Sequence, residues 1–106
     1  MSGNASSFAI SPSGSLKNPE CQRVTLAAAN TEESFAFPTN TKFFVIKNEG
    51  NRLIRVAYIS GETADGGDYY SLSPWETRSV GGINQTSVTI YLRSAGTETL
   101  SFDIWK

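Results

Sequence analysis

Two stretches near the end of the chain carry an apolar side chain at every second position: Val88, Ile90 and Leu92 within Ser87 to Arg93, and Leu100, Phe102 and Ile104 within Glu98 to Trp105. A two-residue period sends alternate side chains to opposite faces of an extended strand, so each stretch has one face to bury. A helix cannot gather those positions on one side. Ser94-Ala95-Gly96-Thr97 separates the two stretches, and the spacing predicts a hairpin that presents both apolar sets on a single sheet face.

The pattern extends back to Gln22. Short apolar or alternating segments cut by turn residues read as strands at Arg23 to Ala28, Ser34 to Phe37, Lys42 to Lys47, Arg52 to Ser60, Asp68 to Leu72 and Thr77 to Val80. A helix over residues 20 to 31 competes through Ala27-Ala28-Ala29, but Val24 and Thr25 are β-branched and no long amphipathic stripe supports it. The Phe43-Phe44-Val45-Ile46 run places large side chains on both faces, as in a central strand covered on each side. Asn48-Glu49-Gly50-Asn51 tolerates positive φ and predicts a hairpin from that strand into Arg52 to Ser60. In the latter, Ile54, Val56 and Tyr58 are the set expected to be buried, with Leu53, Arg55 and Ala57 opposite. The Gly61 to Gly67 segment reads as a loop, and Ser73-Pro74-Trp75-Glu76 as a turn with Pro at its second position.

These readings predict an all-β chain: an antiparallel β-sandwich of about 7–8 strands, jelly-roll-like or Ig-like. Residues 21–106 form the single domain and 1–20 an extended N-terminal arm, since 106 residues leave no room for a second core. The expected core comprises the six alternating positions with Val45, Ile54 and Val56; each such side chain, fully buried, stabilises by about 1.5–3 kcal/mol. The arm has only Phe8, Ile10 and Leu16 as large apolar residues, too few for a core of its own. It is either a frayed terminus or a segment that lays Phe8 and Ile10 on a neighbouring subunit.

Charge and chemistry narrow the function. With 9 Lys and Arg against 10 Asp and Glu, the net charge of −1 gives no cluster for nucleic acid or anionic lipid. The apolar runs are far shorter than the ~20 residues of a membrane span. The start of the chain lacks the basic and apolar regions of a secretory signal, so the protein is expected to be made in a cytoplasm. The absence of His excludes Ser-His-Asp and Cys-His catalysis and the usual zinc sites. Acidic residues lie mainly in turns or beside Lys and Arg, without a motif that sets a carboxylate pair across a cleft. Cys21 is alone, so no internal disulfide forms; it reads as a small semi-buried residue and not as a reactive thiol. Glu62, Asp65 and Asp68 could offer oxygens to calcium but lack EF-hand spacing, and Gly-Gly beside Asp is ordinary loop composition. No enzyme activity, cofactor or metal is expected.

The aromatic residues carry more information. Trp105 takes the outward face if Phe102 and Ile104 point inward, Tyr91 shares that register, and Trp75 sits in a turn. Exposed Tyr and Trp suit a subunit interface or a surface on which sugar rings stack, while Trp75 could also fold back over an open end of the sandwich.

In order along the chain, Val24-Thr25-Leu26-Ala27-Ala28, Phe35-Ala36-Phe37-Pro38, Lys42-Phe43-Phe44-Val45-Ile46-Lys47-Asn48-Glu49-Gly50, Tyr70-Ser71-Leu72-Ser73-Pro74-Trp75-Glu76, Ser87-Val88-Thr89-Ile90-Tyr91 and Ile104-Trp105 resemble small β-sandwich virion proteins of tailed bacteriophages. The likeness spans roughly residues 22 to 105. One departure is Pro74-Trp75-Glu76 in place of Pro-Gly-Glu, which predicts a turn that does not depend on Gly and carries a large side chain at its tip. The resemblance implies a capsid decoration or cement protein, or a module of a fibre or tail. Its implied partners are the major capsid protein or other virion subunits, as a homo-oligomer with a trimer favoured by three-fold shell positions, located in the virion. The interface residues expected are Phe8, Ile10, Tyr91, Trp105 and Trp75. A carbohydrate-binding or host-attachment module, stacking sugars on Trp75, Tyr69, Tyr70 or Trp105, is the alternative.

Overall fold

A computed structural model describes residues 18–106. These form eight strands: β1 (Glu20–Thr25), β2 (Glu33–Ala36), β3 (Phe43–Asn48), β4 (Ile54–Ala57), β5 (Tyr70–Leu72), β6 (Thr77–Val80), β7 (Thr89–Ser94) and β8 (Thr99–Trp105). Among the described residues there is no helix, and Ala27-Ala28-Ala29 lies in the connection after β1. One antiparallel sheet has the order β1-β8-β3-β6 and the other β2-β7-β4-β5. Pairing first with last, second with seventh, third with sixth and fourth with fifth is the winding of a jelly roll, and it decides against the Ig-like alternative.

Alternation fixes what lies between the sheets. Phe44 and Ile46 of β3 and Leu100, Phe102 and Ile104 of β8 face Ile54 and Val56 of β4 and Ile90 and Leu92 of β7, all buried. Phenylalanines join the layers: Phe35 of β2 stacks on Phe102 at 4.4 Å, and Phe37 stacks on Phe44 at 4.2 Å while meeting Phe102 edge-on at 5.5 Å. Such ring pairs add about 0.5–1.5 kcal/mol each beyond area burial.

The buried set agrees with the sequence pattern, but two strand pairings do not. β7 pairs with β2 and β4, and β8 with β1 and β3, so the last two strands lie in opposite sheets and form no hairpin. The same holds for β3 and β4. Period two dictates which side chains turn inward, yet it is satisfied equally by two strands side by side or by two strands facing across the core. The second arrangement buries both apolar sets against each other.

Two expected core residues are also displaced. Val45 points to the outer face of its sheet and is half-buried, because Phe44 and Ile46 take the inner positions of β3. Tyr58 is 49% exposed, since β4 ends at Ala57 before the alternation reaches it. The outer face of β3 is not fully covered as expected; its main cover is Trp105, whose ring lies 5.2 Å from that of Phe43.

The buried amide of Asn48 closes one end of the sandwich. Its Nδ2 donates to the carbonyls of Arg52 (2.8 Å) and Leu72 (2.9 Å), and its Oδ1 accepts from Gly50 N–H (2.8 Å). Its backbone carbonyl takes the N–H of Trp75 at 2.7 Å. One side chain therefore satisfies backbone groups of the β3–β4 connection and of the end of β5, which burial would otherwise leave unpaired. Replacing Asn48 with Ala strands those groups, and urea denaturation is expected to show a loss of about 2–4 kcal/mol. A loss below about 1 kcal/mol would contradict the clamp.

Candidate functional site

β4 and β7 pair so that Arg55 stands directly opposite Arg93 on the outer face of their sheet. The connection between β4 and β5 folds back over this face, held by the fully buried Thr63. The Thr63 hydroxyl donates to Glu32 Oε1 (2.5 Å) and accepts from Arg93 Nε (3.1 Å); its carbonyl accepts from Arg55 Nη1 (2.9 Å). Glu32 Oε2 also accepts from Gly61 N–H at 2.9 Å. The Thr63 hydroxyl first, and the Gly61 N–H next, hold the Glu32 carboxyl below its ordinary value. Gly61 and Gly66, both at positive φ, let the loop turn here.

Between this loop and the end of the sandwich lies an open groove of about 790 Å³, lined by Arg52, Leu53, Arg55, Tyr69 and Arg93 among others. The Arg55 guanidinium lies 4.6 Å from the Tyr69 ring centroid and pairs with Asp65 at 2.8 Å. The Asp65 side chain is 94% exposed, and a pair so open to water contributes little. Arg52 pairs with the buried Glu98 at 3.2 Å, and Glu98 also accepts Asn51 N–H at 2.7 Å. Among the described residues no group of three or more His, Cys, Asp or Glu is placed to hold a metal; Glu62 instead accepts the N–H of Asp68 at 2.7 Å.

The β5–β6 turn is the second notable feature. Glu76 N–H reaches Ser73 C=O at 3.0 Å, and Glu76 Oε1 accepts Ser73 N–H at 2.7 Å. Trp75, third in the turn, has φ of 65°, the conformation that normally calls for Gly. The turn thus does depend on a Gly-like backbone, contrary to the sequence reading, and holds a bulky residue there at a cost on the order of 1 kcal/mol. Asn30 and Asn40 also have positive φ, but Asn adopts it readily. Trp75 does not fold over the sandwich end. It is 60% exposed, with Lys47 Nζ 5.5 Å from its ring centroid.

The other aromatic positions do not form one surface. Trp105 lies half-buried against Phe43 on the outer face of one sheet, whereas Tyr91 lies half-buried on the outer face of the other, because β8 and β7 belong to different sheets. Tyr70 is half-buried beneath the Arg78 guanidinium at 3.9 Å, leaving Tyr69 to face the groove. Phe8 and Ile10 lie outside the described residues. Cys21 is exposed and not semi-buried as expected; its thiol donates to Asp103 Oδ1 at 3.3 Å, and that bond holds it in the protonated form by raising its pKa.

The groove escaped the sequence reading. Arg55 and Arg93 were each legible as outward residues of alternating strands, but their juxtaposition depends on which strands pair.

No protein-family model and no curated protein matches the chain. A solved structure, the solution NMR structure of a de novo designed double-stranded beta-helix, is similar over 80% of this chain and 95% of that one, with 19% identity and a TM-score of 0.49.

Two outcomes follow from this geometry. In urea denaturation, Trp75→Gly should be more stable than Trp75→Ala by about 1 kcal/mol, because Ala keeps the positive-φ cost that Gly relieves; equal stability would mean the turn is unstrained. Glu32 is more acidic folded than unfolded, so its stabilising contribution is complete above its ordinary value of 4.5 and is lost as pH falls through the lower folded value. Exchange protection of the Gly61 and Thr63 amides, both bonded to the Glu32 carboxylate, should therefore hold above pH 4.5 and fall as the solution is acidified below it; protection unchanged on acidification would contradict the clasp.

Proposed function

We propose that the chain is a non-enzymatic structural protein of a bacteriophage particle, a capsid decoration or cement subunit that binds and stabilises the shell. The observation that carries this reading is Trp75: a large apolar side chain displayed in water on a turn that pays conformational strain to hold it. Folding gains little from such a residue. Contact with a partner gains much, since Trp is among the side chains that dominate interface energies.

The edges of both sheets support the same reading. β6 has β3 as its strand neighbour and β5 has β4, so each presents an edge to which a neighbouring subunit could add a strand. Bridging adjacent shell subunits in this way raises the cost of separating them by mass action. The partner is the major capsid protein or another virion subunit, with self-association into a trimer fitting three-fold shell positions. Phe8 and Ile10 would add apolar contacts from the arm.

A second reading, a carbohydrate-binding or host-attachment module, is favoured by the groove beside Tyr69. Mass spectrometry of gradient-purified virions from the genome that carries this gene separates the proposal from its failure. The protein should be present in stoichiometric amount, and recombinant Trp75→Ala should rebind depleted particles at least tenfold more weakly than the parent chain. Absence from the particles would end the virion assignment.

A further inference from the structure

Like charges placed directly opposite each other on neighbouring strands destabilise a sheet, yet β4 and β7 set Arg55 against Arg93, and Arg52 joins them along the same groove. Each arginine has a carboxylate in its neighbourhood, Glu98 for Arg52, Asp65 for Arg55 and Glu32 for Arg93, but the three are held with very different firmness. Glu98 is engaged by Arg52 and the Asn51 N–H, and Glu32 by Thr63 and Gly61. Asp65 pairs with Arg55 from an almost fully exposed position and can swing away. Among the described residues Arg93 makes no ion pair; Thr63 and the Asn30 carbonyl (2.6 Å) hold its guanidinium in place. Two fixed guanidinium groups with N–H groups to spare are preorganised for an anion with two oxygens.

The surroundings specify more than charge. The groove is far larger than an inorganic anion needs, and Tyr69 and the 53% exposed Leu53 give it an apolar wall beside the guanidiniums. We propose that the groove binds a carboxylate-bearing saccharide, a uronic or sialic acid unit within a glycan. Its carboxylate displaces Asp65 and bridges Arg55 and Arg93, while the C–H face of the ring lies against Tyr69 and Leu53. This inference rests on the carbohydrate reading and names the substrate class for it.

Isothermal titration of the full chain with oligogalacturonate, oligoglucuronate and sialyl oligosaccharides tests it, alongside neutral cello-oligosaccharides, inorganic phosphate and polyglutamate. At least one acidic saccharide should bind in preference to the other probes, and binding should weaken as salt rises. Asp65→Asn should strengthen that binding several-fold by removing the competing carboxylate. Arg55→Gln and Tyr69→Ala should each weaken it at least tenfold, with circular dichroism showing that each variant keeps the parent fold; Asp65 is exposed enough for its variant to fold. Preferential binding of neutral saccharides would overturn the acidic assignment and leave the carbohydrate reading standing, whereas no saccharide binding would remove both. Binding confined to phosphate or polyglutamate, or an acidic saccharide indifferent to Asp65→Asn and Arg55→Gln, would also overturn the proposal.

Discussion

The inner strands of the two sheets, β8 and β3 on one side and β7 and β4 on the other, have to turn their alternate apolar residues toward each other across a single layer. Every surface property is the complement of that choice. With Ile54, Val56, Ile90 and Leu92 facing in, Arg55 and Arg93 must face out, side by side. With Phe44 and Ile104 facing in, Phe43 and Trp105 must meet on the opposite surface. A one-residue slip would carry Arg55 and Arg93 into the core from one sheet, or Lys47 and Asp103 from the other, and is excluded by the desolvation of the charge.

Crossing from sheet to sheet creates a second problem, because the connections bring backbone groups under cover where water cannot satisfy them. The chain solves it with a few buried polar side chains. Asn48 ties the β3–β4 and β5–β6 connections, Thr63 ties the β4–β5 loop to the sheet beneath, and Glu98 receives the Asn51 amide at the mouth of the groove. The groove wall and the Trp75 turn are thus fastened to the same framework that closes the core. Trp75 itself is anchored through its N–H to Asn48. The backbone beneath the exposed Trp75 side chain is therefore fixed in its positive-φ conformation by the turn around it.

How much of this could be read from the chain depended on the range of the physics involved. Burial of Ile54, Val56, Ile90, Leu92, Leu100, Phe102 and Ile104 was legible, because alternation is a local property of an extended backbone. Strand partners were not, because both a hairpin and a sandwich crossing bury the same residues. The Phe43-Phe44-Val45-Ile46 run hides its register, since continuous apolar residues fit either face; Phe44 and Ile46, and not Val45, are the ones that reach the core. The tip position of Trp75 was legible from Pro74, but its positive φ was not, as that follows from how Asn48 and Ser73 grip the turn. The paired arginines required knowledge of β4 against β7, the long-range fact that local patterns do not contain.

The facing arrangement of the sheets is most directly tested by backbone proton contacts in an NMR spectrum of the labelled chain. Contacts should connect Val45 with Asp103 and Arg55 with Arg93, as neighbours in the two separate sheets. Continuous backbone contacts running between β7 and β8, as in a hairpin of Tyr91 against Ser101, would contradict the sandwich winding and remove both the arginine pair and the groove built on it.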